Sequence, residues 1–223
     1  MHTMDLGPYL DWQAGVIVLG GTLAAAALRC GWSDFRTTLG VLARLGQKRF
    51  DKGAARAAMA AYVQRIDRDG LLRARPDATG DKEIDHAIGV LAESRSIHAL
   101  ASDFEDHRQD RLAASQRAGF VLGQAVELAP VLGLAGTLVS LGKLSGLAAQ
   151  GGDFAVAVGS AVITTLYGLV FANFLFAPLA GAVARHSRAE DAARREIMEW
   201  LTLHAEAARP HRRREADREE AAA

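Results

Sequence analysis

Apolar and charged positions fall into separate blocks along this chain. Gln13–Leu28 reads QAGVIVLGGTLAAAAL, sixteen residues without a charge, bracketed by Trp12 and Trp32. As a helix, the stretch between the tryptophans spans roughly 30 Å, the thickness of a bilayer core. Tryptophan favours the membrane interface, and Arg29 can snorkel to it. A signal peptide fits less well, because no basic region precedes the run. A buried soluble helix is the other alternative. A second run covers Leu128–Gly142 and reaches Gln150 if Lys143 snorkels. Ala118–Val126 upstream is also uncharged, so Glu127 interrupts one long apolar helix near an end. A third run, Phe154–Ala184, holds 31 uncharged residues. At roughly 45 Å it exceeds a bilayer core, so it must tilt, kink at Pro178, or project.

Between and after these runs the pattern changes to charged, Ala-rich helices. Asp51–Ile66 predicts one helix. Asp69-Gly70 and Arg75-Pro76 break it, and Thr79-Gly80-Asp81 starts another, with Ile84, Ile88 and Leu91 at helical spacing. Ala101–Arg117 is strongly charged and is expected to continue into the second span as one helix. The tail carries an amphipathic stretch around Ile197, Trp200, Leu201 and Leu203, ended by Pro210. Beyond it, the basic run Arg212–Arg214 suits either anionic lipid or plain solvation.

The basic residues set an expected topology. Positions 1–12 hold no Lys or Arg, the link 143–153 holds only Lys143, the segment 29–117 holds sixteen, and 185–223 holds nine. Positive residues stay cytoplasmic, which places the N-terminus and the short link outside. The expectation is an all-α membrane protein with three transmembrane helices. It has a periplasmic N-terminus (1–11), a first span (12–32) and a helical cytoplasmic segment (33–117). A second span with a cytoplasmic extension (118–150), a third span (151–184) and a helical cytoplasmic tail (185–223) follow.

Composition removes whole classes of function. Basic and acidic residues balance at 26 each, which argues against a nucleic-acid partner needing counterion displacement. The single Cys30 excludes an internal disulfide framework and a thiolate-built zinc site. No two of the seven histidines stand at a helical metal-site spacing, so they read as solvated surface residues and no metal is expected. No phosphate loop or nucleophile elbow occurs. Neither an enzyme nor a cofactor is expected.

Polar groups inside a bilayer are costly and need a reason. Pro130, Gly133, Thr137 and Ser140 share one face of the second span. Ala161, Thr165, Gly168 and Ala172 form a stripe on the third, with Ser160 and Thr164 beside it. Small residues allow close helix approach, and hydroxyls can bond across helices. Packing and an ion path both remain open on spacing alone. A hydroxyl path would need a titratable carboxylate from another chain.

Three segments together resemble the MotA/TolQ/ExbB proton-channel family. Ile17-Val18-Leu19-Gly20-Gly21-Thr22 is similar to the IVLGGT signature of MotA-type subunits. Ala129-Pro130-Val131-Leu132-Gly133-Leu134-Ala135-Gly136-Thr137-Leu138 resembles the family's AP-x-x-G-x-x-GT motif. Ala161 to Gly168, Ala172-Asn173, and Phe176-Ala177-Pro178-Leu179-Ala180 resemble the last span of MotA-like chains. Order and spacing agree over roughly residues 10–210.

The resemblance implies a homo-oligomeric ring, typically five copies, in lipid of the bacterial inner membrane. The ring surrounds a single-span MotB-, ExbD- or TolR-like partner whose membrane aspartate handles the ion, proton or sodium. It implies Thr137 and Thr165 as path-lining residues, with Thr164 as second choice. Pro130 and Pro178 match the family's hinge prolines, and Gly133, Gly136, Gly168 and Ala172 its helix-packing positions. Ion flow would become mechanical work, in motility, outer-membrane transport or envelope upkeep. Two departures stand out. The family's first of four spans has no counterpart, so this is a three-span variant or the start lies upstream. In Asp69–Arg75, Arg75 stands where the family's rotor-contact segment carries glutamate, a charge reversal that speaks against flagellar torque; the alternative to a conducting ring is a non-conducting scaffold or degenerate stator-like subunit.

Overall fold

The computed structural model describes residues 12–46, 52–69, 81–94, 96–142 and 154–207. Seven α-helices and one π-helical segment account for nearly all of them, and no strand occurs among them. The helices are α1 (Trp12–Cys30), α2 (Trp32–Leu45), α3 (Lys52–Asp69), α4 (Lys82–Ser94), α5 (Ile97–Gly142), α6 (Phe154–Val170) and α7 (Ala177–Ala207). The π segment, Phe171–Phe176, joins α6 to α7. Three helices are long and apolar enough to cross a membrane: Trp12–Cys30, His98–Gly142 and Val158–Leu203. The chain is thus an all-α protein of the membrane class.

Two compact units divide the chain. Met1–Gly46 and Ala114–Arg185 form one, Gln47–Ala113 and His186–Ala223 the other. The first unit packs through small side chains. Ala14, Val18, Thr22 and Ala26 recur every four residues and are buried along α1. Such a stripe lets another helix come close, and Tyr167 of α6 lies against Gly15, its ring 3.5 Å from where a β-carbon would be. The Thr22 hydroxyl donates to the Val18 carbonyl at 2.7 Å, so its burial leaves no donor unsatisfied. Ala118, Leu122, Ala125 and Ala129 of α5 join Ala172, Phe176 and Val183 in the same core. α2 lays Val41, Leu42 and Leu45 on that core. Residues 32–46 therefore group with the apolar helices, rather than with the charged helices that follow them in sequence.

Large apolar side chains point outward from this unit. Ile17 is 71% exposed, Leu138 71%, Val162 64% and Phe174 79%. A water-soluble domain rarely leaves so many uncovered, whereas lipid or neighbouring apolar helices accommodate them.

The π segment marks how the chain tolerates Pro178. A proline lacks the N–H for the i−4 bond, and its ring crowds that carbonyl. Just before it, the Ala177 N–H donates to the Ala172 carbonyl, five residues back, and the ladder shifts register. The Asn173 amide donates to the Leu169 carbonyl at 2.9 Å in the same stretch.

The second unit is built like a soluble helical bundle. Ala55, Met59 and Tyr62 of α3, Ile84, Ala87 and Ile88 of α4, Leu100 and Phe104 of α5, and Ile197, Met198 and Leu201 of α7 make one core. Asp81 starts α4 by accepting from the Glu83 and Ile84 N–H groups at 3.0 and 3.2 Å. Tyr62 is fully buried, and its hydroxyl has no hydrogen-bond partner among the described residues. Burial pushes that phenol's pKa up. The stability it supports is therefore complete below the ordinary tyrosine range near pH 10 and lost as pH rises through the raised folded value. Tyr62→Phe removes an unsatisfied polar atom. It should hold or raise stability by up to about 1 kcal/mol at neutral pH, and flatten the alkaline decline. Thermal melts of both proteins at neutral and alkaline pH measure this; a clearly lower neutral melting temperature for the variant would contradict it.

Candidate ion-path threonines at the α5–α6 crossing

The centre of the first unit is a close crossing of α5 and α6. Gly133 and Gly168 make it possible. A β-carbon on Gly168 would lie 2.6 Å from the Ala129 carbonyl oxygen and 3.1 Å from the Gly133 α-carbon. One on Gly133 would lie 3.0 Å from the Thr164 carbonyl oxygen. The two backbones touch, so side chains are excluded on both sides. One turn further along α5, Gly136 faces the Thr164 side chain, whose β-carbon would stand 3.3 Å from an added methyl.

This approach brings three hydroxyls together. Thr137 Oγ1 lies 2.6 Å from Thr165 Oγ1 and 3.5 Å from Thr164 Oγ1. It also lies 3.1 Å from the carbonyl oxygens of both Gly133 and Ala161. The Thr164 hydroxyl donates to the Ala161 carbonyl at 2.8 Å and is buried. Thr137 and Thr165 are only half-buried. Each hydroxyl has one proton to give and two lone pairs. If Thr165 donates to Thr137, Thr137 donates to a carbonyl; if the bond reverses, the Thr165 oxygen accepts and keeps a lone pair for a ligand. The pair can therefore hydrate an ion or bond to a carboxylate, but it cannot itself store a proton. Thr164, turned inward with its proton committed, is the least available of the three.

Pro130 sits inside α5, which continues unbroken through it. It stands beside the crossing, its α-carbon 3.2 Å from where a Gly168 β-carbon would be. Pro178 stands two positions past the end of the π segment, after Ala177. Ala172 is buried within that segment. Glu127, the lone acid of the second apolar run, comes within 4.0 Å of Arg29, and both side chains are largely exposed.

Sequence reasoning missed a charge network in the second unit. Arg194, buried on α7, donates to Asp81 at 2.8 and 3.1 Å, to Glu83 at 2.6 Å and to Glu190 at 2.8 Å. Arg111 pairs with Glu83 and approaches Asp191. Arg108 forks onto Asp191 and reaches Glu105 at 3.0 Å. Burial, and then the neighbouring Arg194 charge, push the Arg111 pKa below its ordinary value, while the hydrogen bond to Asp191 leads in holding Arg108 above it. Arg194 lies more than a hundred residues from Asp81 and Glu83, and Arg108 lies 83 from Asp191, so no local spacing announces these contacts.

Two of the histidines that lie far apart along the chain meet between helices. His86 on α4 and His107 on α5 approach to 5.2 Å between ring centroids. Spacing along one helix cannot reveal a pair formed between two. The N-terminal residues 1–11, the Arg75 segment, the link with Lys143 and the tail with Arg212–Arg214 lie outside the described residues.

The model of the MotA/TolQ/ExbB proton channel family matches residues 80–196. Motility protein A of Cereibacter sphaeroides is 26% identical over 209 residues, covering 90% of this chain and 80% of that protein. The structure of C. jejuni MotAB superposes with a TM-score of 0.77 at 18% identity, covering 91% of this chain and 81% of that one. The flagellar MotAB stator complex from Bacillus subtilis gives 0.72 at 17% identity, with 91% and 81% covered. At these identities the two structures speak to the fold.

Proposed function

This chain belongs to the MotA/TolQ/ExbB proton channel family, and we propose that it is the ring subunit of an inner-membrane, ion-driven motor. In this reading about five copies surround a single-span partner carrying a membrane carboxylate. The chain performs no covalent chemistry. The two bulky charged segments lie in the cytoplasm, and the N-terminus lies outside.

The 2.6 Å contact between Thr137 and Thr165 carries the proposal. It puts two half-buried hydroxyls from two candidate spans at one point, where the backbones leave no room for bulk. A carboxylate reaching this point would find a donor when ionised and an acceptor when protonated. The hydroxyls then ease each protonation change without titrating. Pro130 and the π segment before Pro178 are the places where the two spans can flex as the partner's charge changes.

Thr165→Val keeps the branched shape and removes the hydroxyl. Losing one hydrogen bond of about 1 kcal/mol in the rate-limiting step should lower ion flux roughly five- to tenfold. Thr165→Ser should restore most of it. The readout is ion flux into cells or vesicles carrying this chain with its partner. Unchanged flux in the valine variant would remove Thr165 from the path, whereas no flux through the parent chain with its partner would favour a scaffold that does not conduct.

A further inference from the structure

We infer that the α4–α5 face of the second unit holds a divalent transition-metal ion of the zinc class, bound by His86, Asp103 and His107. One ligand atom from each can be chosen so that all three lie within 4.8 Å of one another. His86 Nε2 is 3.4 Å from Asp103 Oδ1, and His107 Nδ1 is 3.6 Å from Asp103 Oδ2. Zinc bonds of about 2.0–2.1 Å in a tetrahedron place neighbouring ligand atoms roughly 3.3–3.4 Å apart. The spacing between His86 and Asp103 thus fits a shared ion with little movement.

A second observation points the same way. Asp103 Oδ2 is sealed from solvent and has no hydrogen-bond donor among the described residues. A buried carboxylate oxygen left in that state is costly, and a bound cation removes the cost. His107 Nδ1 lies 2.9 Å from the Asp103 carbonyl oxygen, one turn back along α5. Donation there commits Nδ1 and fixes the ring, so the nitrogen that His107 offers a metal is Nε2, and the 3.6 Å Nδ1–Oδ2 spacing only shows that the ring lies beside the carboxylate. Two imidazoles and one carboxylate suit zinc and its neighbours better than calcium or magnesium, which prefer all-oxygen sites. The His86 side chain is 56% exposed, so an ion can enter from solvent. The bound ion would tie α4 to α5.

The test uses the full chain, purified in detergent with a tag that contains no histidine. It is dialysed against zinc chloride, and bound metal is counted by mass spectrometry. Cobalt(II) serves as the coloured probe. The expected result is zinc retained at a single site, a visible cobalt band of the tetrahedral kind, and a higher melting temperature with zinc. His86→Ala combined with His107→Ala should abolish all three, while His98→Ala should keep them. A milder variant, His86→Asn, guards against misfolding: it should melt like the parent without metal yet lose the cobalt band. Retained zinc in the double variant, or no zinc held by the parent chain, would overturn the proposal.

Discussion

Gly168→Ala should force α5 and α6 apart. The added methyl carbon would stand 2.6 Å from the Ala129 carbonyl oxygen and 3.2 Å from the Pro130 α-carbon. Both obstacles are backbone, so no side chain can swing aside. Overpacking of this kind costs about 1–3 kcal/mol, and here the upper end applies because two helices must separate. The same movement lengthens the 2.6 Å Thr137–Thr165 bond, so flux should fall along with stability. Gly20→Ala is the matched control. Its β-carbon would meet nothing within 4 Å, and alanine favours a helix over glycine by roughly 0.5–1 kcal/mol. Detergent melts and flux assays should separate the two: a marked drop for Gly168→Ala, no loss of stability for Gly20→Ala. Equal melting temperatures would mean that the crossing is looser than described.

Arg194→Met should weaken the second unit more than any other single charge removal there. Methionine keeps much of the length but none of the donors. Asp81, Glu83 and Glu190 would lose the guanidinium that all three share, at 2.8, 2.6 and 2.8 Å. Removing one partner from a buried ion network typically costs about 3–5 kcal/mol, because the remaining charges stay desolvated. The Arg194 side chain is only 9% exposed, so water screens little of this. Asp81 also begins α4, which couples the loss to that helix. Arg195→Met, one position on, tests the geometry. Arg195 meets Glu199 at 3.6 Å with both side chains mostly exposed, a pair worth at most about 0.5 kcal/mol. Amide exchange across α4 and α7 should accelerate strongly in the first variant and hardly at all in the second. Similar exchange in both would show that the network contributes no net stability.

The three apolar helices could be read from the chain because hydrophobic length is a property of consecutive residues. The break before α4 was legible at Asp81 because capping is also local. Gly133 and Gly168 stood out by helical spacing, as did Thr137 and Thr165 with Thr164 beside the stripe, while Gly136 entered only with the resemblance to the family motif. What spacing could not supply was their mutual register. Which turn of α5 meets which turn of α6 depends on how two surfaces nest. That nesting singles out Thr137 and Thr165 as the half-buried pair and turns Thr164 toward the Ala161 carbonyl.

The sequence by itself determined the helical class, the candidate spans and the small, polar faces of the inner helices. Each follows from short-range periodicity acting on a backbone that must satisfy its own hydrogen bonds in lipid. Only the tertiary structure decided the backbone contact at Gly133 and Gly168, the shared carboxylates of Arg194, and the meeting of His86 with His107 around Asp103. These join residues on separate helices. Their partners are chosen by packing, which no spacing along one segment encodes.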